Sequence, residues 1–425
     1  MSFSSGGSAA QLPVPGYLAN CPTPLHIFYE SLALEDAREL KTGLFSGLPR
    51  AELYYSVKTN PLPPLLKCLV ADGWGLEVVG SSNMAAAEQS AATADRLVLN
   101  GAAWRRRDLE AAIFEKGITN LTLDSEAMAS LLAAVLSSAK SRAIKLNVAL
   151  RLHDGASHFG FPLEQESLRR ALFLLPKERI ASLGLHIHRN PAGSARGISD
   201  IASDFRQRCL ILQKALSVLN EAGGGTNVDY LDLGGGIDSP FVYRPHPDEL
   251  ARFHNPREVQ SFRDAISPNR FSLREAGAEI GRIVKEVLGA GWAQKRILFE
   301  PGRSVCTRAL STLVEVRAVK PGFYPDAQVV LTDGNTATLG PLHRGIHPLT
   351  SLGINRGGVS KAFVYGSLPH SADWLFQSVP LAKLEMGDRL LIAHTGAYFL
   401  PLEAEFGHGR PAIYHGEREG LIRAP

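Results

Sequence analysis

Between about residue 32 and about residue 305, short apolar, β-favouring runs alternate with longer stretches whose apolar positions recur at helical spacing. The strand candidates are Glu52–Val57, Gly75–Val79, Leu97–Leu99, Leu121–Leu123, Lys145–Leu150, Leu183–Ile187, Tyr230–Leu233 and Arg296–Phe299. Helical patterns fall between them, at Ala85–Ala94, Arg106–Glu115, Ser125–Ser138 and Ile201–Ala222. Eight strands with intervening helices predict a parallel (β/α)8 barrel, an architecture that carries its chemistry at the C-terminal ends of the strands. After Cys306 the texture changes to short β-rich segments separated by Gly/Pro turns: Ser311–Val319, Gln328–Thr332, Lys361–Tyr365 and Arg389–Ala393. The early segment Leu25–Tyr29 is placed to join that sheet. The expected division is therefore residues 1–31 as a tail plus a strand of the β domain, 32–305 as the barrel, and 306–425 as the C-terminal β domain, closely connected because no low-complexity linker separates them.

Composition narrows the class without naming a chemistry. A chain of 425 residues is too long for one compact core and fits two domains. Its formal charge of +3, with no long basic run, gives no reason to invoke nucleic acid or an acidic membrane surface. The four cysteines, Cys21, Cys68, Cys209 and Cys306, are far apart and unpaired in sequence, which indicates neither a zinc site nor a disulfide framework and fits a reducing compartment. Met1–Gln11 is Ser/Gly-rich without a basic start or an apolar core, so it reads as a disordered tail and not a signal peptide. No run approaches the roughly 18 apolar residues of a membrane span. The expectation is a cytoplasmic enzyme that binds no metal.

Candidate chemistry falls at the strand ends. Lys58, in Tyr54-Tyr55-Ser56-Val57-Lys58-Thr59-Asn60-Pro61, closes the first barrel strand, where a partly dry pocket would let its amine lose a proton easily and condense with an aldehyde. Leu231-Asp232-Leu233-Gly234-Gly235-Gly236-Ile237 runs a strand into bare backbone whose N–H groups can converge on a phosphate; the nearby Gly223-Gly224-Gly225 reads instead as a helix C-cap. Phe299-Glu300-Pro301-Gly302-Arg303 ends the last strand with a carboxylate suited to a protonated ring nitrogen and a guanidinium suited to a phosphate. In His186-Ile187-His188, alternation aims both imidazoles the same way.

A lysine, a phosphate cradle and a carboxylate for a ring nitrogen are together the requirements of pyridoxal 5′-phosphate (PLP). With these motifs in order, the chain resembles the fold-type III PLP decarboxylases, the group of ornithine, arginine and diaminopimelate decarboxylases. The resemblance covers nearly the whole chain: Tyr55 to Pro61 is similar to the PLP-lysine motif, Ser157-His158-Phe159-Gly160 to an S-x-F-G segment, and Gly234-Gly235-Gly236 and Glu300-Pro301-Gly302-Arg303 to two phosphate motifs. Thr332-Asp333-Gly334 resembles the substrate loop, and Gly396-Ala397-Tyr398 the segment whose tyrosine touches the phosphate. The resemblance implies an alanine-racemase-like barrel with a C-terminal β domain. It also implies that Lys58 holds PLP as a Schiff base, that Glu300 keeps the pyridine nitrogen protonated, and that His188 stacks on the ring. Gly236, Arg303 and Tyr398 would hold the phosphate, Gly235, Pro301 and Gly302 would also bind the cofactor, Arg151 would lie beneath the ring, and Glu77 would replace the usual aspartate.

Departures cluster on the substrate side. The loop that the family offers to the partner subunit reads G-P-x-C-(D/E)-S-x-D; this chain has Gly366-Ser367-Leu368-Pro369-His370-Ser371-Ala372-Asp373, so Pro369 replaces the proton-donating cysteine and His370 the acid that holds a distal amine. The family's Gly-Ser after the histidine is Arg189-Asn190 here, and an arginine before a proline is Gly340. Arg189, Asp333, His343 and His370, with Arg344 and His347 near the rim, are the expected substrate contacts. They favour a substrate with anionic or carbonyl groups away from the α-carbon, as in branches that act on citryl-conjugated diamino acids in siderophore pathways of the vibrioferrin type. Implied too is a homodimer with shared active sites. His370, next to Pro369, is the candidate catalytic proton donor there, or else it binds a substrate carboxylate while Lys58 or water delivers the proton. The alternatives are a simple diamino-acid decarboxylase, a racemase of the same architecture, and a catalytically silent regulator. A racemase would set an arginine against the pyridine nitrogen where this chain has Glu300, and a silent relative would have little reason to keep Lys58, Glu300 and Arg303 together.

Overall fold

The computed structural model describes residues 12–137, 144–221, 227–266, 270–322, 324–353 and 356–424. The Met1–Gln11 tail, Ser138, and Ala222 with the Gly223-Gly224-Gly225 cap lie outside the described residues.

Eight parallel strands close a barrel in chain order. They are β2 (Ala51–Ser56), β3 (Gly75–Val78), β4 (Leu97–Leu99), β5 (Asn120–Leu123), β6 (Leu146–Arg151), β7 (Ile180–His186), β8 (Tyr230–Asp232) and β9 (Arg296–Phe299). Closure comes from β9 returning beside β2, with Leu53 opposite Phe299. Inside, Tyr54, Val98, Ala149, Tyr230 and Leu298 form a separate plug of buried side chains. Gly184 makes room for it, since a Cβ there would meet the Tyr230 ring at 2.4 Å. The plug fills the lower barrel and leaves the strand C-termini free for a site.

The helices wrap the barrel with apolar stripes turned inward. Helix α1 (Glu30–Gly47) packs against α3 (Leu273–Leu288), which starts with a capping box: the Glu275 N–H donates to Ser272 Oγ at 3.1 Å and the Ser272 N–H donates to Glu275 Oε2 at 2.8 Å. Between them in the chain, α2 (Ile198–Glu221) buries Ile201, Phe205, Cys209 and Leu212, and with them Arg208.

The second layer is a nine-stranded sheet. Strand β1 (Leu25–Phe28) lies in it between β10 (Leu310–Pro321), antiparallel, and β16 (Ala412–His415), parallel. Its other strands are β11 (Ala327–Thr332), β12 (Leu349–Ser351), β13 (Val359–Tyr365), β14 (Trp374–Ala382), β15 (Arg389–Ile392) and β17 (Leu421–Arg423). Val314, Val330, Val364, Phe376 and Ile392 fill a core of its own. No helix among the described residues is long and apolar enough to cross a membrane.

Four strands of this sheet, β12, β14, β16 and β17, were not expected from the sequence pattern. β14 carries Pro380, which argues against a central strand; it stands at the edge of the sheet, bonded only to β13, where a missing N–H is tolerated. The helix expected at Ala85–Ala94 is Ser81–Glu88, ending short of Ala91, which sits at φ 65° in the left-handed region. In the stretch expected as Arg106–Glu115, the α-helix covers Arg106–Glu110 and widens to a π turn over Ala111–Glu115.

Candidate active site

A cavity of about 560 Å³ opens at the C-terminal ends of the barrel strands. Strand β2 stops at Ser56, one residue short of the expected end at Val57, and a 3-10 turn, Val57–Thr59, carries Lys58 into this cavity. Its Nζ donates to both carboxylate oxygens of Glu77, at 3.1 and 3.2 Å, and Ser56 Oγ fixes Glu77 by donating to Oε2 at 2.6 Å. The expectation of an easily deprotonated amine is corrected here. Burial works against the charged lysine, but the Glu77 and Glu300 carboxylates outweigh it, and Lys58 holds its proton more firmly than an ordinary lysine.

Glu300 lies buried on the cavity floor just past β9, and Asn100 Nδ2 donates to its two oxygens at 3.0 and 2.9 Å. Burial, and then the Glu300 charge, push the neighbouring Asp232 carboxyl far up. The same burial raises Glu300, while Lys58, Arg151 and the hydrogen bonds from Asp232 and Asn100 oppose it. Both carboxyls are pushed up, Asp232 the further, so a proton shared by the pair favours Asp232 over Glu300. His186 is fully buried with Nε2 3.4 Å from Glu300 Oε2, and neither of its ring nitrogens has a hydrogen-bond partner. His186 and His188 run nearly parallel, centroids 6.4 Å apart at 26°, as alternation predicts. Burial holds both well below the usual imidazole range, with the nearby positive charges of Arg151, Lys58 and Arg208 adding to the effect. The Gly235 N–H donates to His188 Nδ1 at 3.1 Å, which leaves the ring proton of the neutral imidazole on Nε2. Together His186, His188 and Glu300 place ligand-type atoms within 4.8 Å of one another, with the charges of Arg151, Glu77 and Lys58 acting on His186.

The glycine loop is built for close approach. Gly234 and Gly236 take positive φ, 66° and 73°, and a Cβ on Gly235 or Gly236 would strike the Glu300 carbonyl oxygen at 2.4 Å or the Arg189 carbonyl oxygen at 2.5 Å. A Cβ on Gly302 would meet Thr59 Oγ1 at 2.1 Å. Arg208 holds the loop from below: Nη1 donates to the Leu233 and Gly235 carbonyls at 2.7 and 2.5 Å, Nη2 to the Arg189 carbonyl at 3.1 Å, and Asp204 balances its charge through Nε at 2.8 Å. With its carbonyls bound from beneath, the loop is fixed in a shape that leaves Gly236 on the cavity wall. Opposite it stand Arg303, which lies over the Tyr398 ring at 4.9 Å, and Tyr398 itself, at φ 71°, whose N–H donates to the Thr59 carbonyl at 2.8 Å. Arg151 ends β6, 4.4 Å over the Phe159 ring and 3.8 Å from Asp124.

The structure thus brings Lys58, Glu77, Arg151, His188, Gly235, Gly236, Glu300, Pro301, Gly302, Arg303 and Tyr398 to one strand-end region. The four expected substrate contacts do not line the Lys58 cavity of their own chain. Arg189 turns to an adjoining groove and pairs with Asp204 at 3.6 Å. Asp333 accepts from Thr23 Oγ1 at 2.6 Å and from the Glu315 N–H at 2.9 Å, as a strut of the sheet domain. His343 stacks on Trp374 at 3.9 Å with Nε2 bonded to the Trp374 carbonyl at 2.6 Å. His370 is exposed, its Nδ1 accepting from the Ala372 N–H at 3.1 Å. The sequence pattern overlooked Asn100, Asp232 as a proton holder, Arg208 and Arg244. Asn100 follows a barrel strand directly, and Arg208 interrupts an apolar helical stripe, so both left a legible mark.

The residues present fit a flat heterocycle with a phosphate: a glycine cradle that no Cβ can enter, a guanidinium and a tyrosine across from it, a carboxylate on the floor and a lysine at the side. This set on this fold defines a pyridoxal-phosphate enzyme. The pyridoxal binding domain of the pyridoxal-dependent decarboxylases matches residues 37–307. The chain belongs to that family and is a PLP-dependent amino-acid decarboxylase. A diaminopimelate decarboxylase of Actinosynnema pretiosum is 25% identical over 97% of this chain and 88% of its own length. One of Zymomonas mobilis is 24% identical over 97% and 92%. Among solved structures, diaminopimelate decarboxylase of M. jannaschii in complex with L-lysine matches with a TM-score of 0.74 at 20% identity, covering 94% of this chain and 89% of that one. Lysine decarboxylase of Selenomonas ruminantium matches with a TM-score of 0.72 at 18% identity, covering 94% of each.

Proposed function

We propose that the protein removes the α-carboxylate of an amino acid that bears further carboxylate or carbonyl groups away from its α-carbon, such as a citryl-conjugated diamino acid on a siderophore pathway. One observation carries the reading: among the described residues, each carboxylate of the Lys58 cavity already faces a hydrogen-bond donor or a cation of its own chain. Glu77 and Glu300 are committed at the floor. Asp154 accepts from the Ala156 and Ser157 N–H groups and from Ser157 Oγ, at 2.8 to 3.0 Å. Asp238 accepts from the Ala195 N–H at 3.0 Å and faces Arg270 at 3.4 Å. The mouth instead presents Arg151, Arg244 and Arg303.

PLP, when bound, supplies an electron sink for the pair released as carbon dioxide departs. Lys58 would hold its aldehyde, passing a proton from Nζ to Glu77 as the amine becomes a nucleophile. Glu300 would keep the ring nitrogen protonated, oriented by Asn100 and favoured in its charged form because a proton shared with Asp232 prefers Asp232. His188, neutral, would cover the ring face, and Gly235, Gly236, Gly302, Arg303 and Tyr398 would hold the phosphate. We infer further that the working form is a homodimer in which His370 serves the partner's site as proton donor or anion contact, since it does not line its own chain's cavity.

A second reading is diaminopimelate decarboxylation, favoured by the names of the similar proteins; diaminopimelate also carries a distal carboxylate, but with an amine beside it. Carbon dioxide release from purified holoenzyme separates the two. The proposal expects citryl-conjugated diamino acids to give the highest kcat/KM. An equal or higher value for diaminopimelate would favour the second reading, and one for lysine or ornithine would overturn both.

A further inference from the structure

Beyond the Lys58 cavity lies a second one of about 510 Å³, and the two share Asn190, Arg244, Arg303 and Tyr398. Its far wall is the segment from Pro341 to His347, which is not a loose loop. Tyr243, from the barrel side, forms an antiparallel bridge with Ile346, whose N–H donates to the Tyr243 carbonyl at 2.8 Å. Gly345 permits that approach, since a Cβ there would stand 2.8 Å from Val242 Cγ1. The stretch from Pro240 to Pro256 is thereby tied to the sheet domain and closes the second cavity from the barrel side.

The charge in this cavity has one sign. Among the described residues three arginines line it, Arg244, Arg303 and Arg344, and no aspartate or glutamate does. Among the described residues, Arg303 and Arg344 have no ion-pair partner. Arg244 reaches the Gly193 carbonyl through Nη2 at 3.2 Å and lies 3.8 Å from Asp238, yet its Nε is buried without a hydrogen-bond partner. His347 gives Nδ1 to the Ala393 carbonyl at 3.3 Å, and His394 packs edge-on against Phe241. Burial holds these two imidazoles at about 3 and about 4, so they stand neutral and the positive charge belongs to the arginines. Val242, Leu250, Phe399 and Leu402 supply apolar walls. The buried Arg244 N–H without an acceptor is costly until an anion enters, and exposed Arg344 stands free to bind the same anion's other oxygens.

We propose that this second cavity receives a carboxylate-bearing acyl arm of the substrate, a di- or tricarboxylic group, with Arg344 and Arg244 as its recognition residues. The inference rests on the carboxylated-substrate reading above and deepens it. Recognition of the arm falls to the protomer's own residues between barrel and sheet, not to the loop that carries His370, while Arg303 is committed to the cofactor phosphate. The volume, far larger than one carboxylate needs, suits an arm of several heavy atoms.

Calorimetric titration of the PLP-loaded enzyme with tricarballylate tests this, with cadaverine as the cationic control. Saturable binding of one tricarballylate per chain is expected, weakened at least tenfold by Arg344→Gln and partly recovered by Arg344→Lys, with the visible absorbance of the bound cofactor unchanged throughout. Arg344 is exposed and has no polar partner among the described residues, so its replacement leaves the fold intact. No saturable binding, equal binding by Arg344→Gln, cadaverine binding as tightly, or loss of cofactor absorbance as tricarballylate is added would each overturn the subsite. The substrate reading fails separately: turnover of lysine or ornithine as efficient as that of carboxylated amino acids sinks it whatever the calorimeter shows. A preference for carboxylated substrates that survives in Arg344→Gln removes only the subsite.

Discussion

Asn100 Nδ2 donates to both carboxylate oxygens of Glu300, at 3.0 and 2.9 Å, and so orients the group proposed to face the cofactor ring nitrogen and favours its charged form. A hydrogen bond to a charged group contributes about 1.5–3 kcal/mol. Asn100→Ala is therefore expected to lower kcat by roughly 10- to 100-fold while keeping the cofactor bound, and Glu300→Gln to lower it further with the cofactor still present. Steady-state kinetics alongside the visible spectrum checks this; near-normal kcat in either variant would remove Glu300 from the role given to it.

Glu77 keeps Lys58 protonated across 3.1 Å, so its charge sets the pH at which the free amine appears. Removing a carboxylate lowers a neighbouring lysine's affinity for its proton. The rate at which PLP combines with apo-enzyme should then begin its rise at a pH lower by at least about one unit in Glu77→Gln. Stopped-flow absorbance across pH reads the shift, and an unmoved profile would mean that the ion pair does not govern the amine.

Arg208 satisfies three backbone carbonyls beneath the glycine loop from a fully buried position. Arg208→Met leaves those oxygens and Asp204 without their donor, at about 1–3 kcal/mol for each group left dry. The variant is expected to lose several degrees of thermal stability and to bind PLP at least tenfold more weakly. A normal PLP affinity, measured by equilibrium dialysis, would show that the loop keeps its shape unaided.

The dimer proposal predicts complementation. Lys58→Ala and His370→Ala chains, each inactive alone, should regain part of the activity after subunit exchange, because one hybrid site contains both intact residues. Exchange demonstrated by a size tag, with activity still absent, would argue that each chain completes its own site.

Acid should destabilise the fold through its buried neutral histidines. His347 and His394 are held down at about 3 and about 4, whereas an unfolded chain protonates them near 6.5. The unfolded state then binds more protons below about pH 6.5, so stability falls as pH drops through that window, by about 1.5 kcal/mol per histidine down to about pH 5. The urea midpoint should decline accordingly, and less steeply in His347→Gln; parallel declines would clear His347.

The sequence by itself determined the barrel, because its eight strands show as short apolar runs with helical stripes falling between them. It also carried the floor of the site. Lys58, Glu300 and the Gly234–Gly236 run sit at strand ends, and their residue types are tied to a chemistry by local geometry alone. Tertiary structure decided what depends on distant neighbours. The proton affinity of Lys58 follows from Glu77 and Glu300, 19 and 242 residues away in the chain, and reversed the expectation drawn from burial alone. Arg208 reads as an oddity within an amphipathic helix until the fold brings three loop carbonyls to it. The edge strand with Pro380 is invisible to pattern because only the sheet order makes it an edge. Arg189, Asp333 and His343 were judged by charge along the chain, yet each finds its partner within the fold: Asp204, Thr23 and Trp374. Charge pairing acts through space over a few ångströms, and separation along the sequence does not record it.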